Sequence, residues 1–204
     1  MKVLSLETST HQGSLAVWQD GTFLYSEKFQ QPRGRGNTLL RVLEQVVKKF
    51  GSMDRIAVGT GPGSYNGIRA AIAAAEGLRI AWKVSVLGIP SVLAVPSAGK
   101  QYAVVGDARG GTLFFGSIEG ENLKELVLLP CEEFKHRLEA WQGPAYTAAA
   151  IPEFPHLILQ APTAEKLAIL AATRPNLAET PTPLYLKPPY ITQPSIRSGR
   201  GAQK

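Results

Sequence analysis

The sequence predicts an α/β fold in which one order of strands and helices occurs twice, the second time in reduced form. Two observations predict it. The first half opens on three strand patterns and then alternates helix with strand. From Tyr102 the chain starts again with three strand patterns and ends in helices separated by short strands.

Taken in order, Val3 to Ser9 alternates apolar and polar residues as a half-buried strand does. Ser14 to Trp18 and Thr22 to Phe29 follow as two more strands, joined by Asp20-Gly21, a strong hairpin signal. A loop over 32–36 leads to an apolar stripe from Leu39 to Phe50, spaced as one wide helical face and stopped by Gly51. Arg55 to Val58 is a short strand, Tyr65 to Trp82 an alanine-rich helix, and Val84 to Leu87 a strand ended by Gly88 and Pro90. This β-β-β-α-β-α-β order is that of the ribonuclease H-like unit that occurs twice in the actin, Hsp70 and sugar-kinase superfamily. In the second half, Tyr102 to Gly106, Thr112 to Ile118 and Leu123 to Leu128 read as strands. Glu132 to Trp141 reads as a helix, Ala145 to Ala149 and His156 to Leu159 as short strands, and Thr163 to Ala172 as a helix. The predicted organisation is a first lobe over 1–96, a smaller second lobe over 97–190, and a disordered tail over 191–204.

Composition narrows the function classes. With 204 residues, 44% of them apolar, the chain has enough apolar surface for a buried core. No run of about 18 apolar residues predicts a membrane span. Met1 to Glu7 turns acidic too soon for a signal peptide, and a single cysteine, Cys131, excludes an internal disulfide. A cytoplasmic protein is expected. The net charge of +6 hints at an acidic partner, although Lys187, Arg197, Arg200 and Lys204 place much of it near the end.

The most informative stretch is Gly59 to Arg69, a strand end, a glycine-rich turn and a helix start. It is either an anion-binding turn or a tight packing surface. A Walker A loop fails because Ile68 follows Gly67 where lysine is needed. The dinucleotide fingerprint fails because Ser64 or Asn66 stands at the third glycine position. At 100° per residue, Ile68, Ala71, Ala75, Leu78 and Trp82 face the core, and Ala70, Ala73, Ala74, Gly77 and Ala81 form a face of small residues. The remaining stripe holds Arg69, Ile72, Glu76, Arg79 and Lys83. By pattern alone it is either a solvated face or a subunit interface anchored on Ile72.

These residues carry a resemblance. Leu4-Ser5-Leu6-Glu7-Thr8-Ser9-Thr10 and Gly13 to Trp18 resemble the opening strand pair of the bacterial TsaB family. Gly61-Pro62-Gly63-Ser64-Tyr65-Asn66-Gly67-Ile68-Arg69 resembles its Gly-Pro-Gly-Ser-Phe-Thr-Gly-Leu-Arg signature. Asp107-Ala108-Arg109 and Tyr185-Leu186-Lys187 resemble its Asp-Ala-Arg and terminal Tyr-Leu-Arg. Asn37 stands where the family usually carries histidine.

The resemblance implies a non-catalytic dimerisation and activating subunit for tRNA N6-threonylcarbamoyladenosine (t6A) formation beside the anticodon. It implies pairing with a catalytic paralogue, TsaD, through first-half helices, a further partner in the ATPase TsaE, and indirect contact with tRNA; for the isolated chain, monomer and homodimer both stay open. The implied interface residues are Ser64, Tyr65, Asn66, Arg69, Ile72, Ala73 and Glu76. No cofactor is expected on this chain alone, and whether ATP or ADP binds at the subunit junction is left open.

The alternative is a small ATP-dependent phosphotransferase or ATPase with a phosphate cleft built from Glu7, Thr8, Ser9 and Asp107. Asp107 opens the second half as Glu7 closes the first strand, so the two are candidates to face one cleft between the lobes. A metalloprotease is the third reading. His11, His136 and His156 lack the helical His-x-x-x-His spacing of a metal site, so no metal is expected. Arg33 and Arg35 sit among glycines in a basic loop that is either merely solvated or a phosphate contact to tRNA.

Overall fold

The computed structural model describes residues 1–30, 38–97, 99–175 and 180–187. Arg33, Arg35, Asn37 and the tail over 191–204 lie outside the described residues. Two five-stranded sheets form, and both follow one plan. The first comprises β1 (Lys2–Glu7), β2 (Gln12–Gln19), β3 (Thr22–Gln30), β4 (Arg55–Gly59) and β5 (Ser85–Ile89), in the order β3-β2-β1-β4-β5. The second comprises β6 (Gln101–Asp107), β7 (Thr112–Glu119), β8 (Asn122–Pro130), β9 (Ala145–Thr147) and β10 (Ile158–Leu159), in the order β10-β9-β6-β7-β8. In each sheet the first three strands are antiparallel and the last two run parallel to the first. This is the duplicated ribonuclease H-like fold.

The repeat extends to detail. Asp20 and Gly21 both have positive φ, as the predicted hairpin turn requires. A bulge falls between Val17 and Trp18 before that turn, and another between Ser117 and Ile118 before the turn at Gly120. Trp18 then faces Phe23 as Ile118 faces Leu123.

Strand alternation builds three apolar layers. Leu4, Leu6, Leu15 and Val17 pack with Leu39, Val42 and Val46 of α1 (Thr38–Phe50) and with Ala71 and Ala75 of α2 (Tyr65–Trp82). The alternate face of the first sheet, with Val3, Ala57 and Ile89, meets Tyr102, Val104 and Ile118 of the second. The outer face of the second sheet packs Ala103, Val105 and Phe115 on Phe134 and Leu138 of α3 (Cys131–Glu139). The second lobe is reduced at one place: no helix joins β9 to β10, where the first lobe has α2. Phe154 and Leu157, from that connection, fill the space instead.

The last helix, α4 (Ala164–Thr173), lies in the second half by sequence but packs beneath the first sheet, with Leu167, Leu170 and Ala171 in the middle layer. Both its ends are tied to that sheet. Thr163 caps the N-terminus, and the Ala164 amide donates to Ser14 Oγ at 2.9 Å. At the other end the buried Arg55 guanidinium donates to the carbonyls of Ala171 and Arg174, the latter at 2.7 Å. A cation at a helix C-terminus also meets the negative end of the helix dipole. Arg55→Ala removes this cap and leaves carbonyls unpaired, so a stability loss of about 1–3 kcal/mol is expected in urea unfolding. Arg55→Lys, which keeps the charge without the fork, falls between.

Candidate interaction site at the glycine turn

Strands β1, β4 and β5 are parallel neighbours, so their C-terminal ends meet on one side of the sheet. There the segment Thr60 to Ser64 is pinned from three directions. Thr60 N donates to Ile89 O at 2.9 Å. Gly61 exchanges two bonds with Ser91, its amide to Ser91 Oγ at 3.0 Å and its carbonyl from Ser91 N at 2.7 Å. Ser64 N donates to Ser9 O at 2.6 Å, and Thr8 Oγ1 to Gly67 O at 2.8 Å. The Gly61–Pro62 peptide is cis. Two glycines are required by space. A Cβ on Gly59 would stand 2.0 Å from Glu7 Oε2, and one on Gly63 would stand 2.0 Å from Ser9 O.

The amides of Gly61, Ser64 and Gly67 are committed to Ser91, Ser9 and Ser64, and these bonds favour the packing reading of the turn. The turn is a packing joint that starts α2, with Ser64 as its N-cap.

Of the expected phosphate-cleft residues, Ser9 lines the space between the lobes, whereas Glu7 and Asp107 do not line it. Glu7 is fully buried; Oε1 accepts from Ser9 N at 2.7 Å, and Oε2 has no partner among the described residues. Burial is the main influence on this carboxyl and pushes it above its ordinary range, with hydrogen bonds from Ser9 and Ser91 pulling the other way. Asp107 is exposed and accepts from Arg109 N at 2.6 Å in a turn of its own. A small cavity of about 30 Å³ does lie between the lobes, lined by Ser9, Thr10, Ser91 and Phe114 among others, but by neither Glu7 nor Asp107. That space suits a water molecule, whereas ligand sites run to about 300 Å³ or more. Among the described residues no group of three metal-ligating side chains forms, and His11, His136 and His156 are all exposed.

The interface candidates do cluster. Ser64, Tyr65, Asn66, Arg69 and Ala73 are exposed along α2, while Glu76 is half-buried and pairs with Arg79 at 2.6 Å. Ile72 is not a free anchor. It is half-buried and packs on the first-lobe core. The most exposed large apolar residue of this helix is Ile80, at 70%. It lies seven residues after Ala73, close to it on the helical wheel, and that spacing was the available signal.

The segment over 180–187 also reaches the site, which its prolines had marked only as extended chain. Leu184 N donates to Thr60 O at 2.8 Å, and Pro181 fills the space beside Gly88. Tyr185 stacks on Tyr65 with centroids 5.0 Å apart, and Arg69 lies over the Tyr65 ring while donating to its hydroxyl at 2.7 Å. Lys187 Nζ donates to Arg109 O at 2.7 Å and to Thr112 Oγ1, fastening the strap to the second lobe.

Several known proteins are similar to this chain. The family model for TsaD, tRNA N6-adenosine threonylcarbamoyltransferase, matches residues 36–128. The tRNA threonylcarbamoyladenosine biosynthesis protein TsaB of Escherichia coli K12 is 29% identical over 98 residues, 46% of this chain and 42% of that protein. TsaB of Haemophilus influenzae Rd is 25% identical over 134 residues, 61% of this chain and 56% of that protein. The matched part thus spans about half the length of these curated relatives. YeaZ from Pseudomonas aeruginosa superposes with a TM-score of 0.72 at 25% identity, covering 91% of this chain and 99% of that one. A P. aeruginosa protein described as similar to peptidase YEAZ superposes at 0.73 with the same identity and coverage.

Two outcomes follow from the packing joint. Gly59→Ala and Gly63→Ala each force an oxygen aside, and a loss of about 3 kcal/mol or more is expected in thermal or urea unfolding. Glu7 binds its proton more tightly folded than unfolded, so its contribution is full below the unfolded carboxyl range near 4.5 and is lost as pH rises through the folded value. Glu7→Gln removes that slope. Urea midpoints across pH are expected to favour Glu7→Gln increasingly over wild type as pH rises above the ordinary carboxyl range.

Proposed function

We propose that this chain, a TsaB-like and YeaZ-like protein, is the non-catalytic pairing and activating subunit in t6A formation on tRNA. It pairs with a TsaD-like catalytic paralogue through the exposed face of α2 and works with a TsaE-like ATPase in the cytoplasm. The observation that carries this reading is the composition of that face. Ala70, Ala73, Gly77 and Ala81 let a second helix approach closely, and Ile80 supplies an apolar contact. The likeness to a TsaD family model across α1, β4 and α2 supports a partner of the same fold.

Catalysis is assigned to the paralogue. The sealed position of Glu7 and the water-sized cavity between the lobes support that assignment. Nucleotide then belongs at the junction of the two subunits, and tRNA reaches this chain only indirectly.

The test is reconstitution of t6A on tRNA with TsaD, TsaE and the enzyme that forms the threonylcarbamoyl adenylate. Modification is expected only when this chain is present; equal modification without it would falsify the reading. Ala73→Glu and Ile80→Glu place charge on the pairing face, so co-elution with TsaD and t6A yield are both expected to fall at least about tenfold while the melting temperature is unchanged.

A further inference from the structure

We infer that the strap over 180–187 is a releasable clasp across the two lobes, which keeps the space between them at the size of one water molecule. The clasp acts on the interlobe space, whatever molecule pairs with α2.

The strap ties together the two sides of that space. First-lobe residues Ser9 and Pro62 and second-lobe residues Val104 and Phe114 line it. On the first lobe the strap holds the residues just before Pro62. Leu184 N donates to Thr60 O at 2.8 Å, and Leu184 O lies 3.3 Å from where a Cβ on Gly61 would stand. On the second lobe, Lys187 Nζ donates to Thr112 Oγ1 and, at 2.7 Å, to Arg109 O. Thr112 and Phe114 are alternate residues of β7 and so share one face of it. The Phe114 ring covers Gly106 of the neighbouring strand, where a Cβ would stand 2.5 Å from it. The short run from Leu184 to Lys187 thus crosses from one side to the other and sets how far apart Pro62 and Phe114 stand.

The two fastenings differ in kind, which gives the clasp a direction of release. At the first-lobe end Pro181 is buried against Gly88, and Tyr185 stacks on Tyr65. Pro181 and Pro183 preset their own backbone, so this half loses little freedom on docking. At the other end Lys187 is exposed, and its ammonium holds a turn. Arg109, Gly110 and Gly111 in that turn have φ of 63°, 63° and 71°, a left-handed conformation that arginine adopts rarely. Asp107 Oδ1 holds the Arg109 amide at 2.6 Å, and Lys187 holds its carbonyl. Loss of the ammonium frees this turn, and with it Thr112 and Phe114, while the first-lobe half of the strap stays docked.

Thiol labelling of the full chain tests this, in a Cys131→Ser background that removes the exposed native thiol. Ser9→Cys and Val104→Cys report on the interlobe space, and Ala75→Cys, buried between α2 and the first sheet, reports on global unfolding. With the strap intact, a small methanethiosulfonate reagent is expected to reach all three only at the rate that stability in urea allows. Lys187→Ala is expected to raise labelling at positions 9 and 104 at least about tenfold above that rate, and Leu184→Pro, which removes the amide at the first-lobe end, at least as much. Position 75 is expected to follow stability alone, and Lys187→Arg to stay near wild type. Hydrogen exchange on Lys187→Ala without any added cysteine is expected to quicken over 109–114 and not in α1. Labelling at positions 9 and 104 that merely tracks global stability overturns the inference. So does fast labelling there while the strap is intact, or an equal rise of exchange in α1.

Discussion

The structure depends on a close contact between two pieces of backbone. At the end of β1, Ser9 O and the Glu7 carboxyl occupy the space where Gly63 and Gly59 would carry side chains. Because the turn presses so near, Ser64 can donate to Ser9 and Thr8 can reach Gly67 in the first turn of α2. The direction of α2 is therefore set by β1 rather than by the loop that precedes it. At the start of the same turn, Thr60 O accepts from Leu184 N, so the strap docks beside this contact.

Much of this was legible in the chain. Alternation in β1 marks a half-buried strand, yet the structure buries Ser5 and Glu7 as fully as Leu4 and Leu6, because α1 and α2 cover one face of the sheet and α4 and the second sheet the other. The Asp20-Gly21 turn and the core face of α2 are local signals with local causes. Other features have no local signal. Thr163 to Ala172 reads as a helix, but nothing in its own sequence says that it leaves its lobe; Ser14 and Arg55, far away in sequence, decide that. Ile72 and Ile80 are the same residue type on one helix. Only packing against the neighbouring core shows that the first is half-covered and the second is open. Glu7 and Asp107 occupy matching strand ends, and the sequence made them look like partners. Their surroundings differ because Gly59 closes over Glu7, whereas Asp107 opens into an exposed turn.

The two lobes show how a repeated plan can serve unequal purposes. Both sheets keep strand order, hairpin and bulge. The first lobe keeps the helix between its last two strands, and that helix carries the small-residue face. The second lobe fills the equivalent space with Phe154 and Leu157 and presents no helix there.

The position of α4 has a consequence for how the protein is made. The inner face of the first sheet is covered by the second sheet and by α4, all of which are synthesised after it. An emerging first lobe can pair its strands, but it carries bare apolar surface until α4 has been made. Contacts of such long sequence separation slow folding and lengthen exposure to aggregation. The first lobe is therefore poorly suited to life as a separate fragment, and a nascent chain stalled before Thr163 is a natural client for a chaperone.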